Sequence, residues 1–82
     1  MKVILLPQAQ KNLDEIFEPM YSRVVRRLRL LERLPGLGAG MTGPFTGYRS
    51  TVVGLFRVVY RVTPRNTIEV AYIRHCRRAP LG

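Results

Sequence analysis

The residues best suited to chemistry are arginines from the second half of the chain: Arg49, Arg57, Arg74, Arg77 and Arg78. A guanidinium offers a planar fork of donors, and several converging on one phosphate can hold it or stabilise charge developing on it. Arg57 is the member to question first. It lies in the alternating row Leu55, Arg57, Val59, Arg61, where a buried guanidinium costs free energy unless it snorkels, meets a carboxylate or awaits a phosphate. Arg61 joins the same cationic set. Tyr48 and Tyr72 offer ring faces for base stacking, whereas Tyr60 has the spacing of a core residue. His75, beside this set, can donate to phosphate or act as a weak general base. The same arginines would equally serve to meet an acidic protein or to keep an exposed sheet soluble.

Other chemistries find less support. His75 and Cys76 are the only His and Cys, and side by side they cannot supply three or four convergent ligands, so no metal is expected. Adjacent strand residues point apart, which also argues against a Cys/His nucleophile. The glycine-rich stretch from Pro35 to Pro44 lacks the Gly-Lys-Ser/Thr ending of a phosphate-binding loop, so no nucleotide cofactor is expected either.

The stretch that must position the arginines is GYRSTVVGLFRVVYRV, residues 47–62. Its two alternating runs joined at a glycine predict a β-hairpin, with Phe56, Val58, Tyr60 and Val62 on one face and Arg57, Val59 and Arg61 on the other. Thr63 to Asn66 reads as a turn into a third strand, Thr67 to Arg74. If that turn closes without a bulge, Arg57 lies opposite Tyr72, with Arg74 on the same face.

Upstream, Lys2 to Leu6 reads as a strand ended by Pro7, which also pre-sets the first helical turn. Ala9, Leu13, Ile16, Phe17 and Met20 recur at helical spacing, and Pro19 breaks this helix from a second over Met20 to Leu34. The second buries Met20, Val24, Leu28, Leu31 and Leu34 and turns Arg23, Arg26, Arg27, Arg29 and Arg33 outward, around Glu32 alone. The glycines and prolines of 35–44 predict a connector without regular structure. The expected fold class is α+β, in the order β-α-α-β-β-β. A helical hairpin packs on one face of a small, mostly antiparallel sheet, and the other face is largely free.

Eighty-two residues suit one small domain, 1–82. No apolar run approaches the roughly 20 residues of a membrane span, the opening MKVILLP is too short for a signal peptide, and one cysteine excludes an internal disulfide. A cytoplasmic location and no membrane partner follow as expectations. The formal charge is +9, and the 14 basic residues are arginines except Lys2 and Lys11. A polyanionic partner is expected: nucleic acid, a ribosome or an acidic protein.

Several motifs resemble the RelE/ParE superfamily of toxins from bacterial type II toxin-antitoxin modules. They are LPGLG at 34–38, Tyr48-Arg49 opening the first hairpin strand, Phe56 to Tyr60 in the second, and the His75 to Arg78 ending. The resemblance implies a cognate acidic antitoxin that masks the working surface in a toxin-antitoxin hetero-oligomer. It also implies one of two activities: ribosome-dependent mRNA cleavage, or inhibition of DNA gyrase. For an endoribonuclease (mRNA interferase), Arg57 matches the arginine that stabilises the scissile phosphate, Arg77 or Arg78 matches a later one, Arg49 matches a basic residue of the preceding strand, and His75 is left as the base. Thr51 stands where that branch carries a further basic residue, and its C-terminal tyrosine has no counterpart. LPGLG, Arg49-Ser50, Gly54-Leu55-Phe56 and the His75/Arg78 pair look closer to the gyrase-inhibiting, ParE-like branch. A target-binding surface would then comprise Arg57, Arg61, Arg74, Arg77, Arg78, Tyr48 and Tyr72. A non-toxic basic nucleic-acid-binding module is the third alternative.

Overall fold

The computed structural model describes residues 1–76. In chain order it forms β1 (Lys2–Leu5), α1 (Pro7–Asp14), α2 (Met20–Arg33), β2 (Ala39–Gly40), β3 (Arg49–Val53), β4 (Phe56–Val62) and β5 (Thr67–His75), with a 3₁₀ turn at Gly43–Phe45. The strands make one sheet in the order β1-β5-β4-β3-β2, antiparallel except where β1 runs parallel to β5. The expected α+β architecture is present, with one strand more. That strand, β2, lies in the stretch expected to be irregular. Ala39 and Gly40 pair with Ser50 and Arg49, which satisfies backbone groups along the outer edge of β3.

Pro7 opens α1, where its missing N–H costs nothing. The Glu18 carboxylate accepts the Ser22 N–H at 3.1 Å and its hydroxyl at 2.8 Å, relieving an orphan donor in the first turn of α2. Ala9, Leu13 and Ile16 from the α1 segment and Val24, Leu28 and Leu31 from α2 meet Val53, Val58, Tyr60, Ile68, Val70 and Ile73 of the sheet in one core. Three residues expected in the core, Phe17, Leu34 and Val62, lie outside it, Val62 exposed at the end of β4. Phe17 is 84% exposed, because α1 ends at Asp14 and helical spacing no longer governs where its ring points. Leu34 is half exposed, being the non-helical residue after Arg33.

The β3–β4 turn is Gly54-Leu55, with Gly54 at φ +60, as a two-residue hairpin with glycine in its first central position requires. The β4–β5 connection departs from expectation twice. Val62 pairs with Ile68, one residue later than expected, and Asn66 turns the chain at φ +59. Further along, Val59 pairs with Tyr72 but Tyr60 with Val70, so Ala71 is a bulge. The first displacement turns Ile68 and Val70 into the core instead of onto the Arg57 face, and the bulge returns Tyr72 and Arg74 to their expected face, while Arg57 comes opposite Arg74 instead of Tyr72. No helix among the described residues is long and apolar enough to cross a membrane.

Candidate functional site

Alternation along β4 turns Arg57, Val59 and Arg61 away from the helices, since Val58 and Tyr60 belong to the core. Arg57 lies between Val52 of β3 and Arg74 of β5 in the ladder, and both arginines are exposed. The Arg74 guanidinium sits 4.8 Å from the Tyr72 ring centroid, a cation–π contact. Arg61 pairs with Glu69 at 3.0 Å and lies 5.9 Å from the Tyr48 ring. That is the one ion pair among the described residues. Arg57 therefore has no carboxylate partner among them.

This face is less open than expected. Val59 is completely buried although it points away from the helices. Phe45, from the 3₁₀ turn in the β2–β3 connection, meets the Tyr72 ring edge-on at 6.2 Å. Tyr72 stands opposite Val59 in the ladder, so the Phe45–Tyr72 contact lies over this face of the sheet. Val59 is thus buried beside this aromatic pair, while Arg57 and Arg74 stay exposed. Nothing in the sequence around Phe45 marks this role, nor that of Glu69 as the counter-charge of Arg61.

Not every candidate joins this surface. Arg61, Arg74, Tyr48 and Tyr72 share the face of Arg57. Arg49 does not. It pairs with Tyr60 and alternates with Thr51 and Val53 toward the helices, and its guanidinium donates to the Gly38 carbonyl at 2.7 Å. His75 pairs with Phe56, its ring edge-on at 5.2 Å, and helps line a groove with Gln8, Asn12, Glu15 and Ile16 of the α1 segment, which Tyr72 and Arg74 also border. It too lies on the helix side. The convergence expected for Arg49, Arg57 and His75 is thus prevented by the sheet, which stands between Arg57 and the other two. Arg77 and Arg78 lie outside the described residues. Thr51 is buried and accepts a hydrogen bond from Arg27, so it takes no part in the exposed surface.

Arg49 shares its task with Tyr60. The buried Tyr60 hydroxyl accepts the Gly38 N–H at 2.8 Å and donates to the Pro35 carbonyl at 2.8 Å. A Cβ on Gly38 would fall 2.7 Å from the Ser50 carbonyl oxygen and 2.8 Å from the Tyr60 hydroxyl, so only glycine fits there. The LPGLG segment is a tightly packed strap against the sheet. Among the described residues no three His, Cys, Asp or Glu side chains come together as metal ligands would.

Residues 3–80 match the family described as the ParE toxin of the type II toxin-antitoxin system parDE. The chain belongs to the ParE toxin family. Solved structures of RelE/ParE-superfamily proteins share its fold. The RelBE2 toxin-antitoxin complex of Mycobacterium tuberculosis superposes with a TM-score of 0.82 at 22% identity, over 90% of this chain and 95% of that one. The intact E. coli RelBE complex gives 0.76 at 13%, over 90% and 94%. The chromosomal ParDE system of P. aeruginosa gives 0.74 at 19%, over 92% and 95%. No curated protein matches the chain. The chain is thus a type II toxin of the RelE/ParE superfamily. In this ParE-family toxin the exposed cationic pair is Arg57 and Arg74, and the residue of the LPGLG strap that no side chain can replace is Gly38.

Proposed function

We propose that this chain arrests growth by binding DNA gyrase, without cleaving RNA, and that a cognate acidic antitoxin neutralises it. The division of the candidate residues by the sheet carries this reading. Phosphodiester cleavage needs a proton acceptor and a charge-stabilising group within about 3 Å of the same reacting phosphate. Arg57 on one face and His75 and Arg49 on the other cannot meet that demand. What the outer face offers is a binding surface: Arg57 and Arg74 side by side, Arg61 held by Glu69, and the rings of Tyr48 and Tyr72. Such a surface grips carboxylates or phosphates of a target without transferring a proton. The match to ParE toxins supports the same branch.

An antitoxin is supported by the company this fold keeps and by charge. The similar structures include the RelBE2 and RelBE toxin-antitoxin complexes and the ParDE system. A net charge of +9, with Arg57 free of any carboxylate among the described residues, matches an acidic segment whose carboxylates would occupy the guanidinium pair. One observation favours ribosome-dependent cleavage as the second reading: tyrosines interleave with arginines on the outer face, an arrangement suited to stacking bases.

The test places the purified chain in two assays, beside Arg57→Gln. One follows gyrase supercoiling of relaxed plasmid. The other follows a defined mRNA in a translation extract, read by primer extension. Inhibited supercoiling or accumulated cleaved plasmid, with intact mRNA and loss of the effect in Arg57→Gln, is the expected result. Codon-phased cuts with unaffected gyrase would overturn it in favour of the ribonuclease.

A further inference from the structure

A second cationic surface lies on α2, where the sheet-face site does not reach. Burial of Val24, Leu28 and Leu31 turns Arg23, Arg26, Arg29 and Arg33 outward, and all four are exposed. Arg27 is different: it donates to Thr51 Oγ1 and to the Val52 carbonyl, which ties α2 to β3. Arg23 lies with a guanidinium nitrogen 3.6 Å from the Met20 sulfur. Arg26, Arg29 and Arg33 have no ion pair among the described residues, although Glu32 stands in the same shallow concavity. Positions i, i+3 and i+7 share one helix face and here span about 10 Å along the axis.

The composition of this row selects its occupant. No aromatic residue lies between Arg23 and Arg33, so unpaired bases find nothing to stack on. Leu30 is the one apolar residue lining the concavity, so an amphipathic peptide finds no pockets for the apolar anchors that carry such interfaces. A rigid row of guanidinium groups without stacking or apolar contacts suits a rigid row of phosphates. Duplex DNA presents one charge per about 1.7 Å of axis.

We infer that the outer face of α2 binds the phosphate backbone of duplex DNA, independently of base sequence. The helices cover one face of the sheet and Arg57 and Arg74 lie on the other, so the two cationic surfaces stand back to back. The chain can therefore hold DNA on α2 while its sheet face meets another molecule. This goes beyond the gyrase reading and does not rest on it, because DNA alone is the ligand.

The test is fluorescence anisotropy of the purified chain with a labelled DNA duplex of about 20 base pairs, with salt raised from about 50 to 200 mM. Three triple variants are compared. Arg26→Gln/Arg29→Gln/Arg33→Gln removes the row. Arg26→Lys/Arg29→Lys/Arg33→Lys keeps its charge. Lys2→Gln/Lys11→Gln/Arg65→Gln removes the same net charge from exposed positions elsewhere. The Gln row is expected to weaken duplex binding at least about tenfold and to flatten the plot of log affinity against log salt by about 2 to 3. The Lys row and the charge-matched control are expected to keep most of the slope. Equal losses in the Gln row and the control would reduce the effect to net charge. Equal losses in the Gln and Lys rows would make it structural. Tighter binding of the single strand, an RNA hairpin or polyglutamate than of the duplex would give the surface to another partner. Each of these three results overturns the proposal.

Discussion

Arg57 and Arg74 stand directly opposite one another across β4 and β5, two exposed arginines with no carboxylate between them. Like charges directly opposite in a sheet destabilise it, whereas an opposite pair contributes about 0.2–1 kcal/mol. Arg74→Glu should therefore raise the melting temperature by a few degrees and abolish growth arrest, because it fills the guanidinium pair with an internal carboxylate. Thermal denaturation and growth after induction check the two halves. A lower melting temperature would show that these side chains do not meet across the strands.

Tyr60→Phe keeps the ring and removes one oxygen. The buried Gly38 N–H then loses its acceptor and the Pro35 carbonyl its donor. Leaving such a group unsatisfied costs about 1–3 kcal/mol. Urea unfolding should show that loss, and amide exchange at Gly38 should accelerate more than at Val58. Unchanged stability would mean that water takes the place of the hydroxyl.

Arginines on α2 should divide sharply. Arg27 is half buried and donates to both Thr51 Oγ1 and the Val52 carbonyl, and Thr51 is itself buried. Arg27→Leu should cost about 1–3 kcal/mol, since it strands a buried acceptor and uncouples α2 from β3. Arg26→Leu, fully on the outside, should stay within about 0.5 kcal/mol. Equal effects of the two changes in urea unfolding would refute the difference in role.

That division was beyond the sequence, where Arg27 reads as one arginine in a solvated row. Alternation did reveal which face of β4 carries Arg57, because a period of two survives any even displacement of register. It could not reveal the partner of Arg57, which depends on Ala71 bulging and on the connection closing at Ile68. Neither has a local chemical signature. The position of Arg49, by contrast, was within reach. A two-residue turn at Gly54-Leu55 pairs Arg49 with Tyr60, and a core tyrosine forces its neighbour on the ladder toward the helices. Phe17 shows the opposite case: its spacing is helical, but the helix has already ended.

The same separation by the sheet yields the sharpest contrast between two variants. His75 packs edge-on against Phe56 on the helix side, a contact worth about 0.5–1.5 kcal/mol. His75→Gln should therefore lower stability by about that amount and still arrest growth at comparable expression. Arg57→Gln should behave the other way, holding stability within about 0.5 kcal/mol while arrest disappears. Growth curves with immunoblotting, together with urea unfolding of the purified variants, separate the two effects. An RNA-cleaving toxin that used His75 as its base would lose about 10²–10⁴ in rate from the histidine change as well. Loss of arrest in a stable, well-expressed His75→Gln variant would therefore place proton transfer on the helix side of the sheet and remove the ground for a purely binding toxin.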